Sequence, residues 1–283
     1  MLLLKEQAES DASPQSLAVY AQLRKLCGIS TVPLFYRHLA TIPGALEWAW
    51  TALGPGLRTG ILQKSAWEIT RSVKFENVTR LSNQTLNSLG ITTGDLVDFH
   101  KVLTAYDRSN PVTLLGLRYL GSLVAQRHRT AANKRSSVNI DKPWQPPVSI
   151  EGLLPMAQIA DIRGNSLREM NVLTNRGEVS RTSPIWPSLY RHLASRPRLL
   201  SLATLVVVPA FKVIDVAAES IMLDANRRVN GLIETEGIVR DVPHTEQQLH
   251  QAITYAVELF SDRLPELIAV CRLLMASVPI KTV

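Results

Sequence analysis

An eight-residue stretch occurs twice in this 283-residue chain. Residues 36–43 read YRHLATIP and residues 190–197 read YRHLASRP, an offset of 154 positions. A second set recurs at offsets of 154 or 155, namely Asp107, Arg108 and Pro111, then Asp262, Arg263 and Pro265. Two matches at nearly the same offset predict a tandem duplication. We expect two such halves to pack as an intramolecular pseudo-dimer, with any pocket near its twofold axis.

The periodicity of apolar residues predicts an all-α fold. Strand-like alternation is scarce, whereas apolar residues recur at the three- and four-residue spacing of an amphipathic helix. Examples are Leu17-Tyr20-Leu23-Leu26, Leu114-Leu117-Leu120-Val124 and Leu267-Val270-Leu274. Two helix starts are predicted by residues that can cap free backbone N–H groups, Thr93 with Asp95 and Thr245 with Gln248.

The middle of the chain has the composition of a linker. Residues 127–150 carry a cluster of basic residues and then three prolines, without helical periodicity. We therefore expect a first helical repeat over 1–126, a basic and proline-rich linker over 127–150, and a second repeat over 151–283. The net charge of +7 lies entirely in residues 1–150, with 17 Lys and Arg against 10 Asp and Glu. Much of it falls in the linker, where a solvated charge run is expected rather than a nucleic-acid site.

Composition and motifs exclude several classes of protein. Two cysteines, Cys27 and Cys271, rule out a disulfide scaffold or a multi-cysteine zinc site. The six histidines have no metal-site spacing, and no phosphate-binding, dinucleotide or hydrolase motif is present. We expect no signal peptide, because Lys5 and Glu6 interrupt the apolar start, and the apolar stretch 199–211 is shorter than the roughly 20 residues of a membrane span. We expect a cytoplasmic protein with no metal, no cofactor and no membrane contact.

Several stretches together resemble a known enzyme family. They are Val32-Pro33 leading to residues 39–44 and Trp50, then Ala105-Tyr106 with Asn110-Pro111 and Leu114-Leu115, then Leu153-Leu154-Pro155 after the linker. In these the chain is similar to the group I 2-haloacid dehalogenases of the DehI type. The resemblance implies an all-helical fold of two pseudo-repeats, often assembled as a homodimer. It also implies hydrolytic, cofactor-independent release of halide from short 2-haloalkanoic acids, with an Asp activating the attacking water.

At two positions this chain departs from the family. The family's Asp follows a Ser, eight residues before the Pro that ends the second repeat's motif, and here these positions are Ser188 and Leu189. A Thr and a Glu in the helix after Trp50 correspond to Thr59 and Gln63. Residues 179–214 contain no Asp or Glu, so a slip in the alignment does not restore the acid. Since displacement of halide requires a base that activates water, hydrolysis by the family's mechanism is not expected.

The residues leave several roles open. Asn110, Ser188 and Thr59 are predicted to contact a substrate, although each has a structural explanation as a turn, cap or back-bonding residue. His38 and His192 occupy equivalent positions in the two halves. His192 is a candidate replacement base, or the pair binds a metal or an anion, or both histidines stabilise packing between the halves. Arg37 and Arg191 are paired in the same way, and Arg191 is a candidate to bind a carboxylate.

Two functions remain open from sequence. One is an enzyme similar to the cofactor-independent 2-haloacid dehalogenases, in which Leu189 and Gln63 replace the family's carboxylates. The alternative is a non-catalytic protein on the same fold that binds a small carboxylate or acts as a scaffold. The expected partner is thus a small carboxylate, with a homodimer possible on the resemblance and no nucleic acid.

Overall fold

The computed structural model describes residues 4–76, 78–125, 144–177, 183–235 and 247–278. In these ranges the chain forms α-helices and three short 3-10 turns, with no β-strand beyond one isolated bridge between Ile29 and Ile150. The predicted all-α fold is confirmed. The helices are α1 Pro14–Cys27, α2 Leu34–Leu39, α3 Ala45–Arg58, α4 Ile61–Ser72, α5 Asn83–Ser88, α6 Thr93–Ala125, α7 Gly164–Asn175, α8 Ser188–Ala194, α9 Pro197–Val207, α10 Phe211–Thr235, α11 Gln247–Ser261 and α12 Arg263–Ser277.

Local sequence explains where α1 and α6 begin. Ser13 caps α1 by accepting a hydrogen bond from the Ser16 amide, and Pro14 occupies the first turn. The cap of α6 is Thr92, one residue before the predicted Thr93. The Thr92 hydroxyl accepts from the Asp95 amide, and the Asp95 carboxylate accepts from the Thr92 amide, a reciprocal capping box. The other predicted start, Thr245 with Gln248, has its capping residue outside the described residues.

Helix α6 lies at the centre of the molecule. It is 33 residues long, and it packs against α4 of its own half and against α10, α11 and α12 of the other half. The buried apolar side chains form one core that draws on both halves of the sequence. Side chains from the two halves therefore meet along α6, and this is where the candidate site lies.

The order of elements is similar before and after the linker. A 3-10 turn at Glu9–Asp11 precedes α1 and the short α2, and a 3-10 turn at Ile159–Asp161 precedes α7 and the short α8. In each half the segment before the turn is hydrogen-bonded to the short helix. The Gln7 amide donates to the Arg37 carbonyl, and the Ala157 amide donates to the Arg191 carbonyl.

The basic part of the predicted linker, from Arg127 to Lys142, lies outside the described residues. Its end packs on the first half. The Trp144 indole donates to the Leu26 carbonyl and lies against Trp67, with the Lys64 ammonium over its ring. Arg108 binds the carbonyls of Gly28 and Val148, which ties this end of the linker to α6.

The apolar stretch that begins near residue 199 forms α9, a 3-10 turn and the start of α10. The whole segment Pro197–Ile233 is long and apolar enough, by length and composition alone, to cross a membrane, and 33% of its most apolar window is buried. Its buried side chains pack on α12 and α6. Four of its large apolar side chains are exposed: Leu205, Val213, Val216 and Leu223.

Candidate functional site

A half-enclosed cleft lies where α2, α6, α8, α11 and α12 meet. Its cavity measures about 30 Å³, room for about two water molecules. Three of the residues singled out from sequence line it, namely Asn110, Ser188 and Leu189. The remaining lining residues are Pro33, Leu34, Phe35, Tyr106, Thr113, Ile185, Pro187, Phe260, Arg263, Leu264 and Leu267.

Most of the lining consists of residue pairs separated by 154 positions, the offset of the sequence repeat. The pairs are Pro33 and Pro187, Leu34 and Ser188, Phe35 and Leu189, Tyr106 and Phe260, Asn110 and Leu264, and Thr113 and Leu267. In four of them one member is polar and the other apolar. Helix α6 therefore contributes the wall of Tyr106, Asn110 and Thr113, and α11 and α12 contribute the wall of Phe260, Leu264 and Leu267.

Asn110, which lines this cleft, carries an unpartnered hydrogen-bond donor. The residue is 4% exposed, and its side-chain nitrogen has no hydrogen-bond partner within the described chain. A buried amide without a partner costs about 1–3 kcal/mol, so a water molecule or a ligand in the cleft is needed to accept from it. Asn110 lies inside α6, so it does not begin the turn that an Asn before Pro commonly begins.

Ser188 is the first residue of α8, and its hydroxyl is oriented by Arg37. A terminal nitrogen of the Arg37 guanidinium donates to Ser188 Oγ at 2.8 Å. Because the oxygen accepts from Arg37, the hydroxyl hydrogen points away from Arg37, either toward the Tyr106 hydroxyl, whose pKa this contact lowers, or toward a ligand. Ser188 and Asn110 thus both present donors, the groups that a carboxylate requires.

Leu189 is fully buried in the cleft wall. Among the described residues that line the cleft, none carries a carboxylate or an imidazole. The charged lining residue Arg263 is already paired, since it donates to Glu266 Oε2 at 2.9 Å and both side chains are buried. The cleft therefore offers donors to a ligand without a group that could take a proton from water.

Thr59 and Gln63 do not line the cleft. The Thr59 hydroxyl donates to the carbonyls of Pro55 and Gly56 at the end of α3, which is the back-bonding role. Gln63 is fully buried, and its amide nitrogen donates to the carbonyls of Leu26 and Leu57. The amide at position 63 thus joins α1, α3 and α4, and the structure does not bring Thr59 together with Asn110 and Ser188.

His192 lies next to the cleft without lining it. Its Nδ1 donates to the Leu154 carbonyl at 2.5 Å, while its Nε2 is buried without a partner in the described chain. The ring packs against Tyr106 with 5.8 Å between ring centroids. Burial lowers the pKa of His192 to about 4, and the nearby charges of Arg37 and Arg191 act in the same direction. The imidazole is therefore neutral at pH 7, and its role as a replacement base stays a prediction.

His38 repeats this arrangement in the first half. Its Nδ1 donates to the Lys5 carbonyl at 2.8 Å, and burial lowers its pKa as well. Each histidine thus fixes the segment that runs along its own short helix. This is the packing role considered for the pair. The hydrogen bonds lie within each half, whereas the rings pack across the halves, His38 on Phe260 and His192 on Tyr106.

Arg191 is 3% exposed and is held by two acceptors. Its Nε donates to the Ala157 carbonyl at 3.1 Å, and a terminal nitrogen pairs with Glu6 at 2.5 Å. Glu6 also pairs with Arg37, at 2.7 Å. Arg191 is not part of the cleft wall, so its contact with a ligand stays a prediction.

Sequence reasoning assigned no role to Tyr106, Thr113 or Glu6. Burial raises the pKa of the Tyr106 hydroxyl, which keeps it protonated, whereas the nearby Arg37 charge acts in the opposite direction. The repeat offset of 154 could have identified these lining residues, because it relates Tyr106 to Phe260 and Thr113 to Leu267. Among the aromatic residues, Phe35 lines the cleft and Trp67 packs on Trp144.

Comparison with known proteins gives a likeness of fold. No protein-family model matches the chain, and no curated protein does. Among solved structures, the chain is similar to a D-2-haloacid dehalogenase mutant in complex with D-2-CPA, with a TM-score of 0.73, and to D-2-haloacid dehalogenase in complex with L-LA, with a TM-score of 0.74. Each comparison has 15% identity and covers 98% of this chain and 96% of the other. The fold is dehalogenase-like over its whole length.

Proposed function

We propose that this protein binds small carboxylates of the 2-substituted alkanoate type in the cleft between its halves and does not hydrolyse them. One observation carries the proposal. The cleft presents the unpartnered Asn110 amide and the Ser188 hydroxyl, and its lining includes Leu189, the residue that the resemblance aligns with the family's Asp. Donors without a base can hold a carboxylate, and they cannot activate water.

The asymmetry of the lining supports this class of ligand. A short 2-substituted alkanoate has a charged end and an apolar end. The wall of Tyr106, Asn110 and Thr113 would receive the carboxylate, and the wall of Phe260, Leu264 and Leu267 would receive the substituent. Because the cavity is about 30 Å³, we expect Leu189 or a phenylalanine side chain to move on binding.

The lining also supports an origin by duplication. If the two halves are related by a pseudo-twofold axis, residues 154 positions apart face each other across it, as the lining pairs suggest. Their divergence into one polar and one apolar member then gives an amphipathic cleft. The homodimer and the cytoplasmic location expected from sequence stay predictions.

Hydrolysis remains a second candidate because of His192. Its Nε2 is unpartnered, and its lowered pKa keeps it neutral, the form in which an imidazole accepts a proton. It packs against Tyr106, which lines the cleft. Tyr106 would have to move aside for this nitrogen to reach a water molecule in the cleft.

Halide release from D- and L-2-chloropropionate separates the two candidates. We expect none from the wild type and none from His192→Ala, but release from Leu189→Asp, in which a carboxylate returns to the cleft wall. Leu189→Asn, which has the same shape without the charge, is the control, and circular dichroism checks that each variant folds. Release by the wild type that disappears in His192→Ala would refute the binding proposal.

A further inference from the structure

Two arginines and one carboxylate form a buried cluster behind the cleft. Arg37 on α2 and Arg191 on α8 are 5% and 3% exposed. Both pair with Glu6, whose two carboxylate oxygens each take one guanidinium, at 2.7 and 2.5 Å. Among the described residues, Glu6 is the one carboxylate that pairs with either arginine. Arginine stays protonated in proteins, so the cluster carries one excess positive charge.

Of the two arginines, Arg37 is the one whose positive charge is less fully compensated. Its Nε is buried with no hydrogen-bond partner in the described chain. Its remaining contacts are neutral, namely Ser188 Oγ at 2.8 Å and the Met156 sulfur at 3.8 Å. A buried guanidinium with an unpartnered nitrogen and one shared carboxylate is incompletely compensated.

The repeat explains why a second carboxylate is missing. Gln7 and Ala157 make the equivalent backbone hydrogen bond to Arg37 and Arg191, so the residue before each occupies the equivalent place. These preceding residues are Glu6 and Met156. One half thus supplies a carboxylate to the cluster, and the other half supplies a neutral thioether, which is a weak acceptor.

The charge reaches the cleft through two of its lining residues. Ser188 accepts from Arg37 and faces the cleft, and Tyr106 is close enough to both arginines for their charges to act on its pKa. A positive charge in such a buried setting acts over a longer distance than it would in water, because the surroundings screen it weakly.

We propose that the cluster of Glu6, Arg37 and Arg191 makes the cleft selective for anions over neutral ligands of the same shape, and that Met156 is the position at which a carboxylate would cancel this selectivity. The inference rests on the proposed function, because it concerns which ligand the cleft prefers. It assigns Arg37 a positioning role toward Ser188 and an electrostatic role toward the ligand.

Calorimetric titration with 2-chloropropionate and its neutral amide, 2-chloropropionamide, measures the selectivity. We expect the wild type to prefer the carboxylate by about tenfold or more. Met156→Glu should lower this ratio about tenfold, while Met156→Gln, which has the same shape without the charge, should keep it. Equal ratios in the two variants would overturn the inference.

A measurement without ligand tests the charge itself. The charges of Arg37 and Arg191 help to lower the pKa of His192. An added carboxylate facing Arg37 should therefore raise that pKa in Met156→Glu relative to Met156→Gln, as followed by NMR of the imidazole. An unchanged pKa would contradict the excess charge. If the pKa rises but the wild type binds neither compound, the charge assignment stands and the proposed function is wrong.

Discussion

Glu6 is the residue on which two buried guanidinium groups depend. Replacing it by Ala would leave Arg37 and Arg191 without a counter-charge in surroundings that exclude water. We expect the free energy of unfolding to fall by about 3 kcal/mol, the lower end of the range for a broken buried ion pair, since the Glu6 side chain is 20% exposed. Denaturant unfolding of Glu6→Ala beside Glu6→Gln, which keeps a hydrogen-bond acceptor, separates the loss of charge from the loss of the hydrogen bond donated by Arg191.

A carboxylate at position 156 should compensate in part for the loss of Glu6. Because Met156 lies across Arg37 from Glu6, Met156→Glu in the Glu6→Ala background should restore part of the lost stability. Met156→Gln in that background should restore less. Equal stability of the two double variants would show that the cluster does not respond to charge at position 156.

Only some residues of the candidate site could be predicted from the sequence. Asn110, Ser188 and Leu189 were found by resemblance, and all three line the cleft. Position along the chain does not give the direction of a side chain, which is why His192 lies behind the cleft wall. The role of Glu6 could not be predicted, because Glu6 and Arg191 are 185 positions apart in the sequence and the other half has no repeat of Glu6.

Helix α6 differs from its counterpart in the second half. It continues through Pro111, whereas the corresponding segment divides at Asp262 into α11 and α12, with Pro265 in the first turn of α12. Proline fits a first helical turn without loss of a hydrogen bond, so the second half places it where the backbone tolerates it best. Apolar periodicity predicted helices here, but it does not reveal whether a helix ends at a proline or continues past it.

We expect the polar residues of the α6 wall to lower the free energy of unfolding while they allow a ligand to bind. Asn110→Leu would place the same residue type at position 110 as at its counterpart Leu264, and it would remove the unpartnered amide. We expect stability to rise by about 1 kcal/mol and 2-chloropropionate binding to be lost. Thermal unfolding and calorimetry test this together, with Thr104→Val as a control on the same helix, because the Thr104 hydroxyl donates to the His100 carbonyl and Thr104 does not line the cleft. Binding that survives in Asn110→Leu would argue against a ligand-contacting amide.

Stability of the whole molecule should depend on pH through His192. Its pKa falls from 6.5 in the unfolded chain to about 4 in the fold, so between these values the unfolded chain binds more protons. Stability is therefore complete above pH 6.5 and falls by about 3 kcal/mol as the pH drops to 4. Asp107, whose pKa burial raises, acts in the opposite direction. Unfolding at pH 7 and pH 5 should show a smaller decrease in His192→Gln than in the wild type. An equal decrease would contradict the lowered pKa.

The location of a bound carboxylate tests most directly whether the cleft binds a 2-substituted alkanoate without hydrolysing it. We would soak crystals of the wild type with 2-bromopropionate and record the anomalous scattering of bromine. We expect one bromine peak in the cleft, on the side of Phe260 and Leu264, with the carbon–bromine bond intact. The carboxylate should lie beside Asn110 and Ser188. An empty cleft, a peak elsewhere or a product without bromine in the cleft would contradict it.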